Sequence, residues 1–152
     1  MRMQSLLLYI FVLSLALTVP LHAAGPEVTA YKVATCGCCS LWADNLTKNG
    51  FQVTMNPVPD MDIYKKRFGV PKHLESCHTA VVGGYTIEGH VPAADIHRLL
   101  KERPRAKGLA VPGMPLGSPG MESSRGDVRD AYDVLLFTED GKTSVFRHYQ
   151  GN

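Results

Sequence analysis

The sequence predicts an α/β domain with element order β-α-β-α-β-β-α, a long Pro/Gly-rich loop and an additional C-terminal β-hairpin. Three observations carry this. A β-forming run, Glu27–Ala34, leads into the cysteine-rich turn Cys36-Gly37-Cys38-Cys39, and a helical pattern leads out. Two further β-forming runs flank Gly83-Gly84, a tight hairpin signal. A helix with apolar residues at Ala93, Ile96, Leu99 and Leu100 follows that hairpin directly.

The chain has 152 residues, a length that favours one domain. Met1-Arg2 gives a positive start, and Leu6–Val19 is an apolar run broken only by Ser14 and Thr18. Pro20 interrupts it, and Leu21-His22-Ala23-Ala24 offers small residues for cleavage. Residues 1–23 therefore read as a secretory signal peptide and 24–152 as the mature domain; an uncleaved N-terminal anchor is the other reading. The formal net charge is only +2, with no basic block, so neither nucleic acid nor an anionic membrane surface is an expected partner. The mature length suffices to bury a core without disulfides.

In order, Glu27–Ala34 is the first strand. Ser40–Asn49 reads as a helix with Leu41, Trp42 and Leu46 on one face, closed by Gly50 in a left-handed position. Phe51–Met55 alternates as a second strand before Pro57 and Pro59. Asp60 caps a short helix through Ile63, Tyr64 and Phe68 that ends at Gly69. A loop reaches Ser76-Cys77-His78, then Thr79–Val82 and Tyr85–Glu88 form the hairpin. Pro92 lies near the first turn of the next helix. Residues 103–125 read as irregular, with Pro104, Pro112, Pro115 and Pro119; a loop of that length is functional or disordered. Tyr132–Phe137 and Thr143–Tyr149 read as a hairpin around Glu139-Asp140-Gly141-Lys142.

That order is what a thioredoxin-like core requires, and such cores carry their cysteine motif where the first strand meets the first helix. The loop before the third strand packs against that turn. Here that loop holds Cys77, so all four cysteines converge. An exported chain meets an oxidising compartment. Three cysteines within four residues nevertheless make a poor staple, and a Cys36–Cys39 bridge closes only a tiny loop.

Two chemistries follow. A helix start favours thiolates, which are soft-metal ligands and nucleophiles. Neighbouring α-carbons only about 3.8 Å apart crowd three sulfurs too closely to wrap one ion but let them bridge several. A small Cu(I)–thiolate cluster is thus favoured over a single structural zinc. The alternative is thiol–disulfide exchange by Cys36 and Cys39. Against it, no proline precedes the third strand, and Cys38 and Cys77 invite wrong pairings.

His78 reads equally as a ligand and as a loop histidine. His90 reads as a structural loop residue, and His97 as a solvated one. Met114 and Met121 have thioethers suited to Cu(I), though packing is their simpler role; Met55 and Met61 read as packing residues. Trp42 reads as core, with shielding of the site as a second role. No carboxylate pairing or phosphate loop marks a further enzyme class.

Cys36-Gly37-Cys38-Cys39 with Trp42, Ser76-Cys77-His78-Thr79-Ala80, Gly84–Ala93, Gly108–Pro115 and Gly117–Glu122 together resemble the periplasmic CopG-like copper-resistance family, not the DNA-binding repressors sharing that name. The resemblance spans roughly the whole mature chain. It implies a thioredoxin-like fold and a multinuclear copper site with Cys36, Cys38, Cys39 and Cys77 as ligands. It also implies a role in copper resistance in the Gram-negative periplasm, alongside copper chaperones or efflux components. Any enzymatic activity would be oxidoreduction of copper or of thiols.

Overall fold

The computed structural model describes residues 24–152 except Arg125 and Asp127; the expected signal peptide, residues 1–23, lies outside the described residues. The elements run β1 (Glu27–Lys32), α1 (Gly37–Lys48), β2 (Gln52–Pro57), α2 (Met61–Arg67), β3 (His78–Val82), β4 (Tyr85–Glu88), α3 (Ala93–Glu102), β5 (Gly108–Ala110), β6 (Tyr132–Phe137) and β7 (Thr143–Tyr149). The expected β-α-β-α-β-β-α order is present through α3. No described helix is long and apolar enough to cross a membrane.

One seven-stranded sheet holds these strands in the order β2-β1-β3-β4-β5-β6-β7. β1 pairs parallel with β2 and antiparallel with β3, which pairs antiparallel with β4. The first four strands thus form the sheet of the expected core. Val28, Ala30, Ala80, Val82 and Ile87 line the buried face and meet Trp42, Leu46, Ile96 and Leu99 from the helices.

Each helix end has a local cause. Asp60 accepts the Asp62 amide at 2.9 Å, as its position before α2 predicts. Gly50 takes φ 87° after α1, conformational space a side chain would resist. Pro92 is the residue before α3, where its missing N–H costs nothing.

Residues 103–125 are not wholly irregular, which corrects the sequence reading. Gly108-Leu109-Ala110 forms β5, parallel to β4 and antiparallel to β6. Three residues of low strand propensity give no periodic signal; the partners on both sides create this strand. A Cβ on Gly108 would lie 1.7 Å from the Thr86 carbonyl oxygen, so only glycine allows the approach. β5 also joins the C-terminal hairpin to the core sheet. Asp95 on α3, fully buried, accepts from Arg147 Nε at 2.5 Å and Tyr149 Oη at 2.7 Å, anchoring β7 to α3.

Candidate metal site

β1 ends beneath the cysteine turn. Lys32, buried, donates to the carbonyls of Cys36 at 3.0 Å and Ala34 at 3.4 Å. Cys36 stands at the N-cap of α1 with extended backbone, and no side chain caps the helix. Its first-turn amides therefore have no side-chain cap. Cys36 and Cys39 are joined as a disulfide, with α-carbons 5.5 Å apart. Cys38 and Cys77 are free and half-buried. Cys36 Sγ lies 3.6 Å from Cys38 Sγ.

Cys77 reaches this group from the loop before β3, as the topology predicts. Ser76, its neighbour, is held on two sides. Its amide donates to Glu88 Oε1 at 2.6 Å, and its hydroxyl donates to the Gly113 carbonyl. Glu88 also accepts from Thr79 Oγ1 at 2.6 Å and forms a buried ion pair with Lys65. Three donors, from α2, the loop before β3 and β3 itself, thus fix the carboxylate that fixes the Cys77 loop. All four sulfurs lie within 4.8 Å of one another.

The sequence reading missed His90. It is fully buried, with Nε2 3.0 Å from Cys77 Sγ and Nδ1 2.8 Å from the Pro119 carbonyl. A signal was available. β3 and β4 pair as Val82↔Tyr85 through Thr79↔Glu88 around Gly83-Gly84. Counting outward in that register sets residue 90 opposite residue 77. His78 is also fully buried, with Nδ1 3.3 Å from Cys77 Sγ and Nε2 without a hydrogen-bond partner. Cys77, His78 and His90 form a second set with donor atoms within 4.8 Å.

Trp42 takes both roles considered for it. It is fully buried, donates from Nε1 to the Val91 carbonyl at 2.9 Å, and packs against His78 with ring centroids 4.2 Å apart. Met114 follows Gly113 on the loop tied to Ser76, and its side chain is 52% exposed. Met121 is half-buried on the same loop. Met61 is buried and Met55 packs on the core, as expected. His97 is exposed and stacks on Phe51, and His148 pairs with Asp133 on the hairpin surface.

The loop over residues 112–121 covers the site. Gly120, at φ 84°, has no room for a side chain: a Cβ would lie 2.6 Å from the Cys38 carbonyl and 2.7 Å from the Trp42 amide. Gly120→Ala should cost about 1–3 kcal/mol from backbone strain alone and lift the loop from α1. Urea unfolding measures the first effect, and faster alkylation of Cys38 the second.

Burial pushes the Cys77 thiol up to about 12, with Cys38 adding to the shift. The resting thiol is protonated, and its proton bridges toward His90. Burial holds His78 well below its ordinary 6.5, aided by His90 and Lys65, and burial also lowers His90. Both rings are therefore neutral. A histidine depressed in the folded state adds stability above pH 6.5 that is lost as pH falls, because the unfolded chain takes the proton first. Glu88 runs the other way: burial raises it, so folding gains as pH falls toward 4.5. Folding stability should fall by about 1 kcal/mol for His78 alone between pH 7.5 and about pH 5.5. Urea midpoints measure this, and His78→Asn should shrink the drop.

The family described as "Protein of unknown function, DUF411" matches residues 74–121, which carry Cys77, His78, His90 and the covering loop. No curated protein matches the chain. Among solved structures, "Copper resistance protein copG- Form 1" is 50% identical, with TM-score 0.78, covering 82% of this chain and 98% of its own. Form 2 is 48% identical at the same TM-score, covering 83% and 99% respectively. At that identity, over nearly the whole length of those structures and with the cysteine pattern in place, this chain belongs to the CopG copper-resistance protein family.

Proposed function

We propose that this is a thioredoxin-like, exported copper-handling protein that holds several Cu(I) ions on Cys36, Cys38, Cys39 and Cys77 and contributes to copper resistance. One observation carries the reading: four cysteine sulfurs from two chain segments within 4.8 Å of one another. Four thiolates around one tetrahedral ion at about 2.3 Å would stand roughly 3.7 Å apart, so the set is compact enough for sulfurs to be shared between ions. Thiolates select Cu(I), and the CopG neighbours are named for copper resistance.

The full ligand set requires the Cys36–Cys39 bond to be reduced, with two electrons and two protons supplied by a dithiol reductant. The N-terminal pattern supports export to a Gram-negative periplasm, where a copper chaperone or an efflux component would be the exchange partner. Met114, exposed on the covering loop, is a candidate entry ligand, and half-buried Met121 on the same loop is a second candidate. Anaerobic Cu(I) titration of the reduced chain tests the reading. Saturation above one equivalent, with Cu(I)–thiolate emission, is expected; saturation at one or below would overturn the cluster.

The Cys36–Cys39 disulfide at a helix start favours a second reading, a thiol–disulfide oxidoreductase. Cys77, not proline, occupies the place before β3, and Cys38 adds a competing thiol. Insulin reduction that survives Cys38→Ser would favour this reading over copper binding.

A further inference from the structure

Two ligand sets meet at Cys77, and the disulfide affects only one of them. Joining Cys36 to Cys39 removes two of the four thiolates. The Cys77, His78 and His90 donors are untouched and remain within 4.8 Å of one another. We propose that these three residues form a one-ion site, for Cu(I) or a zinc-class divalent ion, that is available while Cys36 and Cys39 are oxidised.

The hydrogen bonds prepare the site. The Pro119 carbonyl can only accept, so His90 Nδ1 carries the proton and Nε2 presents a lone pair. That lone pair points at Cys77 Sγ, 3.0 Å away. A ring nitrogen fixed by a backbone carbonyl on its far side is how proteins orient a metal-binding histidine. The second nitrogen donor, His78 Nδ1, is 3.3 Å from the same sulfur. In a tetrahedral zinc-type site, with a sulfur at about 2.3 Å and a nitrogen at about 2.0 Å, the S···N edge is roughly 3.5 Å. Both contacts therefore approach ligand spacing without the metal. Cys38 Sγ lies within 4.8 Å of Cys77 Sγ.

Buried surroundings also fit an ion. His78 and His90 are fully buried. Trp42 packs against His78 at a tilt of 46°, and the Pro119 carbonyl of the covering loop holds the far side of His90. Loading forms the Cys77 Sγ–metal bond and releases the thiol proton to solvent. No electron is transferred, so the site needs no reductant. It is distinct from the four-thiolate reading and stands or falls separately from it.

Co(II) titration of the oxidised chain is the test, after alkylation confirms two free thiols. Saturation at one equivalent is expected, with a thiolate-to-Co(II) charge-transfer band, tetrahedral d–d absorption and release of about one proton. Made in a Cys38→Ser background, Cys77→Ser should abolish the charge-transfer band while preserving the fold. His90→Ala should weaken binding about tenfold or more, since even loss of a residue that only orients a ligand costs that much. The double variant Cys36→Ser/Cys39→Ser should keep one-ion binding while losing the multi-copper stoichiometry. That result separates this site from the cluster. Absence of Co(II) binding, a charge-transfer band that survives Cys77→Ser in the Cys38→Ser background, or unchanged affinity in a folded His90→Ala chain would each overturn the proposal.

Discussion

Replacing Cys77 with serine should cut the Cu(I) stoichiometry of the reduced chain sharply, to roughly half or less, because thiolate sulfur is the donor that selects Cu(I). Cys77 is the one thiol supplied from outside the start of α1. Without it, three sulfurs from residues 36–39 stand on one side, and no sulfur closes the group from the β3 side. The serine hydroxyl can replace the S–H as donor to His90 Nε2, so folding stability should change little. Anaerobic Cu(I) titration read by thiolate emission measures the loss, with a urea curve as control. Unchanged stoichiometry would remove Cys77 from the ligand set, and a collapsed urea midpoint would mark a folding defect instead.

Trp42→Ala should be the most destabilising single change among the site residues, at about 3–5 kcal/mol. The indole is fully buried at the junction of α1, β3 and the covering loop, so its removal leaves a cavity that backbone cannot fill. It also leaves the Val91 carbonyl without its side-chain donor and His78 without the ring packed against it. Trp42→Phe restores most of the volume but not the hydrogen bond, and should recover most of the loss, leaving about 1–2 kcal/mol. Urea unfolding at neutral pH separates the two variants. A cost under about 1 kcal/mol for Trp42→Ala would mean that the core closes around the gap, against the packing described.

Local signals determined much of this protein from sequence alone. Strand runs broken by glycine pairs and prolines, an Asp60 cap and an apolar stripe on α3 all act within a few residues of themselves. They gave the element order through α3 and both hairpins. The convergence of Cys77 with residues 36–39 was also legible, because that order allows few topologies.

Tertiary structure decided what depends on distant partners. β5 exists because β4 and β6 offer hydrogen bonds on either side of Gly108–Ala110, not because those residues favour a strand. His90 turned from a loop residue into a neighbour of the thiol because the β3–β4 register and the Pro119 carbonyl fix its ring. The buried Lys65–Glu88 pair that holds Ser76 joins residues on α2 and β4 that no spacing rule connects. The pairing of Cys36 with Cys39 depends on the turn geometry that brings their α-carbons to 5.5 Å. Except for that local bond, the deciding interaction is in each case a contact between separate segments of the chain, and periodicity carries no trace of it.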